Sequence, residues 1–182
     1  MDIKSKLVKR AKKGDSDAFQ KLIHDEKEKM YRMAYVYMRN EDDALDVFQE
    51  SLYKAFKSIQ TLENNDYFST WVMRILINTA VASLKKKQKL VLITDEILES
   101  MANVEHSQRE DHLDLLYALD EIEEKYKTVL LLRFYQDYTV KQIAAFLNSP
   151  EGTVKTNIRR GLEALKYKLK GVYLDDRKNS IV

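Results

Sequence analysis

One proline and four glycines in 182 residues leave this chain few places to turn except the ends of helices. A β-sandwich, a barrel or a Rossmann-type fold needs many more turn residues, so these architectures are excluded. The fold class that is left is all-α. The length allows one large domain or two small ones. The absence of cysteine excludes a disulfide scaffold, a thiolate zinc site and a cysteine nucleophile. The longest uncharged apolar run, near Ile75–Leu84, is about half a membrane span. Met1–Lys13 carries six basic residues and no apolar stretch, unlike a secretory signal. A cytoplasmic helical protein is expected.

Apolar periodicity divides the chain into two lobes. In the first, Ile3, Leu7, Val8 and Ala11 share a helical face that Gly14 can close. Asp15 or Ser16 can cap a second helix, with Phe19, Leu22, Ile23, Met30, Met33 and Ala34 inward. Asn40-Glu41-Asp42 interrupts it and offers caps, and a third helix then carries Leu45, Phe48, Leu52, Ala55, Phe56 and Ile59. After a polar loop, Ser69 or Thr70 can cap a fourth, with Trp71, Val72, Ile75, Leu76 and Thr79 inward, ending in Lys85-Lys86-Lys87. This lobe is expected to span residues 1–87. Residues 88–110 read as a linker, with a short apolar patch at Leu90–Ile93 and a helical turn or two over Thr94–Met101. The second lobe, 111–174, shows stripes at Leu115, Leu116, Leu119 and Ile122, then Val129, Leu130, Leu132 and Phe134. Val140, Ile143, Ala144 and Leu147 follow, and last come Val154, Ile158, Leu162 and Leu165. Pro150 can open that last helix at its first position, and the tail, 175–182, reads as frayed.

The net charge of +2 conceals a segregation. Residues 1–90 hold 18 Lys and Arg against 13 acids, and residues 91–112 hold one Arg against six acids. Asp114–Glu124 has five acids and no base, whereas Thr153–Lys170 has six bases and one acid. Two basic lobes joined by an acidic bridge suit a polyanion touched at two places.

Three patterns sharpen this. Thr139–Lys168 has the spacing of a helix-turn-helix: a short helix, a three-residue turn, then a longer helix. The longer helix is expected to bury Val154, Ile158 and Leu162, so Thr153, Lys155, Thr156, Asn157, Arg159 and Arg160 face outward. These residue types reach base edges and phosphates in a major groove. In Phe68–Asn78, aromatic residues cluster beside a polar loop on a basic lobe, and Tyr67, Phe68 and Trp71 have faces on which bases of opened DNA can stack. The helical spacing of Trp71 with Ile75 also fits a core. In Asp42–Glu50, Asp42, Asp46, Gln49 and Glu50 share one side of a helix. That stripe would repel phosphates and suits a basic protein surface.

Together these segments resemble bacterial RNA polymerase sigma factors of the extracytoplasmic-function type (group IV of the sigma-70 family). Asp43–Glu50 is similar to the region 2.2 signature, and Phe68–Ile75 with Asn78 to regions 2.3 and 2.4. Tyr126–Phe134 is similar to region 4.1, and Ile143–Leu147 with Gly152–Thr156 to region 4.2. The resemblance implies that Asp46, Gln49 and Glu50 meet the β′ clamp coiled coil of core polymerase, and Leu131, Phe134 and Tyr135 the β flap. It implies that Asn64, Asn65, Tyr67, Phe68, Trp71, Arg74 and Asn78 handle the −10 strand, with Lys85, Lys86 and Lys87 along phosphates. Thr153, Lys155, Thr156, Asn157, Arg159 and Arg160 would read the −35 duplex. The acidic linker would thread toward the RNA exit path, and an anti-sigma factor, often membrane-anchored, would hold the protein at the inner membrane face. The regulon expected is one for stress or the cell envelope.

The family usually has a proline at Glu123-Glu124; its absence here leads to the expectation that the preceding helix runs on. Gln142 stands where an acidic residue is common. No cofactor, metal or small-molecule substrate is expected, and no enzyme activity: His24, His106 and His112 lack ligand spacing and there is no glycine-rich phosphate loop. The alternative is an autonomous helix-turn-helix regulator, which would need a dimer and a palindromic site.

Overall fold

The computed structural model describes residues 3–95 and 111–179, with side chains for 3–87 and 115–169. It divides into two compact units, Met1–Ala102 and Asn103–Val182.

The first unit packs four helices: α1 (Ile3–Ala11), α2 (Ser16–Met38), α3 (Glu41–Ser58) and α4 (Phe68–Asp95). Gly14 closes α1 at φ +89°, a conformation that side chains with a Cβ disfavour. The Asp15 carboxylate then accepts the Ala18 amide at 2.9 Å and starts α2. Arg39, left-handed at φ 57°, ends α2, and Asn40 caps α3 by accepting from the Asp43 amide at 3.0 Å. The turn at Gly14 and the caps at Asp15 and Asn40 are therefore present as expected.

Helix α2 is central, against α1, α3 and α4. It buries Phe19, Leu22, Ile23, Met30, Met33, Ala34 and Tyr37. Each large apolar side chain so buried contributes about 1.5–3 kcal/mol. The inward face of α3 differs from the expected one. Ala44, Val47, Ser51 and Ala55 are buried, while Leu45 is 45% and Phe56 41% exposed. Small side chains let α3 lie close to its neighbours, which turns the large apolar residues outward. Ile3 is also exposed.

Helix α4 begins at Phe68, directly after a 3-10 turn over Asn65–Tyr67. Ser69 is not its cap; its hydroxyl donates to the Glu26 carboxylate. The inward face is Phe68, Val72, Met73, Leu76, Ile77, Thr79 and Ala80, with Trp71 and Ile75 half-buried. The helix does not stop at Lys87 but continues to Asp95, through the Leu90–Ile93 patch. The turns expected in Thr94–Met101 lie largely outside the described residues.

The second unit contains α5 (Asp111–Asp120), α6 (Glu124–Leu130), a π-helical turn (Leu131–Tyr135), α7 (Val140–Leu147) and α8 (Glu151–Asn179). Helix α5 does not run on into α6, despite the missing proline: Glu123 is extended at ψ 137° and its carbonyl accepts the Tyr126 and Lys127 amides at 2.8 and 3.1 Å. Charge explains the break. Four acids at 120–124 would oppose the dipole at the end of a continued α5, but Glu124 is favoured in the first turn of α6. Asp120 accepts from the Lys127 ammonium, and Glu121 from Lys168 on α8 at 2.7 Å. Ile122 then sinks into the core.

On α5, Leu119 is buried but Leu115 is exposed. Helix α8 packs against α6 at Gly161, where a Cβ would meet Leu130 and Tyr126 at 3.2 Å. Gly161, not the expected Leu162 (43% exposed), thus faces inward, where even a methyl would crowd Leu130 and Tyr126. The helix extends through Asp175 to Asn179, so that part of the expected frayed tail is helical.

Candidate nucleic-acid and protein interfaces

Helices α7 and α8 form the helix-turn-helix. A reciprocal capping box starts α7: the Gln142 amide donates to Thr139 Oγ1 at 3.2 Å, and Gln142 Oε1 accepts from the Thr139 amide at 2.8 Å. A glutamine performs this task as an acid would, which accounts for the residue at 142. Asn148, left-handed at φ 50°, ends α7. The Pro150 carbonyl accepts from the Thr153 and Val154 amides at 3.0 and 3.1 Å, so Pro150 precedes the first residue of α8 instead of being it.

Val154 locks α8 into the core, and Ile158 is half-buried. Thr153, Lys155, Thr156, Arg159 and Arg160 are exposed on the first turns of α8, and Asn157 is half-buried beside them. The Thr156 hydroxyl donates to the Gly152 carbonyl at 2.9 Å. Arg159 pairs with Glu163 at 2.9 Å; both are well exposed, so water screens the pair and a phosphate can compete for the guanidinium.

In the first unit, the segment between α3 and α4 is built from short local bonds. Asn64 Oδ1 accepts the Asp66 amide at 3.0 Å, and the Tyr67 amide donates to the Asn64 carbonyl at 3.2 Å. Asn64 and Tyr67 are exposed and Asn65 is half-buried. Phe68 is fully buried, with its ring 5.9 Å from that of Trp71 and the Lys4 ammonium 6.0 Å above it. It therefore offers no face to a base, which corrects the expectation: a residue that opens α4 against α2 is core. Trp71 and Arg74 are half-buried, and Asn78, Lys85, Lys86 and Lys87 are exposed along α4. Lys87 is not simply open to phosphates, because it pairs with Asp43 at the start of α3.

On α3, Asp46, Gln49 and Glu50 are exposed, and Glu50 pairs with Lys54 at 2.7 Å. The same outer surface carries Leu45, Tyr53 and Phe56, a mixed acidic and apolar face. The sequence reading missed its apolar part by assigning Leu45 and Phe56 to the core.

The π-helical turn sets the third surface. Its wider winding leaves Phe134 60% exposed and Tyr135 43% exposed, while Leu131 is buried at 5%. Leu131 is thus core and not part of the expected contact. Arg133 Nη1 donates to the Tyr138 carbonyl at 3.1 Å and ties the turn to the segment before α7.

A buried polar cluster was not foreseen. Glu26 on α2 is 6% exposed and bonds Lys4 of α1 at 2.7 Å as well as the Ser69 hydroxyl of α4. Burial pushes its carboxyl up. The hydrogen bonds from Lys4 and Ser69, with the charges of Lys4 and Lys29, outweigh this and hold it below the usual glutamate range. Among the described residues, no group of side chains could hold a metal ion, and no helix is long and apolar enough to cross a membrane.

The geometry defines a protein with a helix-turn-helix in one helical unit and an acidic and apolar helix face in the other. The chain matches the Sigma-70 region 2 family over residues 22–90 and the Sigma-70, region 4 family over residues 112–165. It is 38% identical over 150 residues to RNA polymerase sigma factor SigV of Bacillus subtilis (strain 168), covering 81% of this chain and 88% of that protein. To the ECF RNA polymerase sigma factor SigW of the same organism it is 32% identical over 179 residues, covering 91% of this chain and 96% of that one. The sigma factor RpoE of Bartonella quintana, crystallised with the anti-sigma factor NepR, shares the fold: TM-score 0.68 at 21% identity, over 84% of this chain and 96% of that one. The chain belongs to the extracytoplasmic-function RNA polymerase sigma factors, which are not enzymes.

Proposed function

We propose that this sigma factor brings core polymerase to promoters by dividing the task between its two units. Helix α8 reads the −35 duplex through Thr153, Lys155, Thr156, Asn157 and Arg160, with Arg159 on the backbone. The segment 62–67 and the start of α4, with Tyr67, Trp71, Arg74 and Asn78, receive the opened −10 strand, and Lys85–Lys87 follow its phosphates. Asp46, Gln49 and Glu50, with the apolar side chains beside them, dock on the β′ clamp, and Phe134 and Tyr135 on the β flap. The chain does no chemistry; captured bases favour strand opening, and the polymerase forms the bonds.

The observation that carries this reading is the outer face of α8. Basic and hydroxyl side chains open that helix directly after the turn, on the side away from Val154. An anti-sigma factor covering the α3 face or the π-helical turn is part of the proposal. It draws on the solved sigma factors RpoE with NepR and CnrH with the cytosolic domain of CnrY. The regulon proposed is one for stress or the cell envelope.

Run-off transcription tests it. Purified core polymerase is mixed with sheared genomic DNA of the source organism, with and without the chain, and the 5′ ends are sequenced. New discrete starts that share a −35/−10 pair are expected. No new starts, with no co-elution with core polymerase, would overturn it in favour of an autonomous regulator.

A further inference from the structure

The segment that leads from α3 into α4 has no long element of its own to hold it. The Leu62 amide donates to the Ile59 carbonyl at 3.2 Å, and two short bonds follow within Asn64–Tyr67. Leu62 buries its side chain in the core, and two polar anchors from the ends of α1 hold the segment and the start of α4. The Lys12 ammonium donates to the Leu62 carbonyl at the start of the segment. The Lys4 ammonium donates to the Ser69 hydroxyl at 2.6 Å at its end, and to Glu26 at 2.7 Å, while standing over the Phe68 ring. Between the two anchors stand the exposed Asn64 and Tyr67.

We propose that Lys4 and Lys12 are positioning residues, which hold both ends of the 62–69 segment so that Asn64 and Tyr67 are set for an unpaired DNA strand. The inference rests on the reading that this segment receives the −10 strand. A loop fixed beforehand does not lose its freedom at the moment of binding, so the strand is held more tightly. Neither lysine need touch DNA. Lys4 is committed to two oxygen acceptors inside the unit, and Lys12 to a backbone carbonyl.

The test uses the sigma–core holoenzyme and a fluorescent single-stranded oligonucleotide that carries the non-template −10 sequence mapped by run-off transcription. Lys12→Met removes one anchor without orphaning a buried charge. Lys4→Met combined with Glu26→Gln removes the other together with the carboxylate it neutralises. Each is expected to weaken oligonucleotide binding by about threefold to tenfold, with core affinity and −35 duplex binding unchanged. Lys12→Arg keeps a donor and should restore binding; a merely structural loss would not be rescued in this way.

Tyr67→Ala is the reference. If it weakens binding while Lys12→Met and the double variant bind like the parent, the inference falls and the strand site stands. If Tyr67→Ala also leaves binding unchanged, the segment is not the strand site and both fall. Should the double variant melt at a much lower temperature, Lys12→Met and its arginine counterpart decide alone, and equal binding by all three would overturn the proposal.

Discussion

Thr139 and Gln142 bond each other three times at the start of α7: each side chain accepts from the other's backbone amide, and the Thr139 hydroxyl donates to Gln142 Oε1 at 2.8 Å. Thr139→Ala removes one half and leaves an amide of the first turn without its acceptor. The second unit should lose about 1 kcal/mol. Gln142→Glu keeps the geometry and adds a negative charge at a helix N-terminus, for a gain of about 0.3–1 kcal/mol. Thermal unfolding of the three proteins measures both, and an unchanged melting point for Thr139→Ala would show that α7 does not depend on its cap.

Gly161→Ala sets two effects against each other. Alanine is the better helix former by about 1 kcal/mol. Its methyl would stand 3.2 Å from Leu130 Cγ and Cδ1 and from Tyr126 Cβ, the last close to the backbone of α6. Overpacking of this kind costs about 1–3 kcal/mol. The net effect should be a loss of about 1 kcal/mol in urea unfolding; a gain would mean that α6 and α8 move apart freely.

Leu131 and Phe134 lie within one π-helical turn and should behave oppositely. Leu131→Ala opens a cavity and should cost about 2–4 kcal/mol. Phe134→Ala should stay within about 0.5 kcal/mol of the parent, yet weaken association with core polymerase. Melting curves and a pull-down with core separate the two; full core binding by Phe134→Ala would remove that residue from the docking surface.

Arg160→Ala should cost about 1–3 kcal/mol at the −35 duplex, roughly tenfold or more, with core binding intact. Asp46→Lys should do the reverse. Gel-shift titration of holoenzyme on −35 DNA and fluorescence titration with core measure the pair. Equal loss of both activities in either variant would sink the division of labour. Glu163→Ala, which frees Arg159, should change DNA affinity little, because an exposed i,i+4 pair is worth about 0.3–0.5 kcal/mol.

Glu26 predicts an acid limit for the first unit. Its carboxyl is held below the usual range in the folded state, so its stabilisation is complete above the ordinary glutamate value of 4.5. That contribution is lost as pH falls through the lowered folded value. Circular dichroism of the parent should show earlier acid unfolding than that of Lys4→Met/Glu26→Gln, measured relative to each protein's stability at neutral pH. Parallel curves would mean that the pair contributes nothing.

The elements with strong end signals were legible in the sequence. Gly14, Asp15 and Asn40 marked helix ends that the structure contains. The inward face of α3 was legible only at Ala55 and at its C-cap, Ile59, because large apolar residues look like core and Ala44 and Ser51 do not. Burial there follows from how closely helices approach, and Leu45 and Phe56 were displaced to the outside. Gly161 misled in the same way. The break after Asp120 was written in the run of acids, but reading it required weighing the helix dipole against the missing proline. The Lys4–Glu26–Ser69 cluster joins residues 22 and 43 positions from Glu26, and no periodicity carries such a contact. On α8, the exposed Thr153, Lys155, Thr156, Arg159 and Arg160 were correctly read as outward, since Val154 fixed the opposite side.

The chain has a single tryptophan, and Trp71 lies half-buried against Phe68, one turn from the exposed Tyr67. The second unit contains none. Intrinsic emission excited at the red edge of the indole band therefore comes from one place in the molecule. A quenching or wavelength change on adding DNA is a label-free signal from the first unit, with no contribution from the helix-turn-helix.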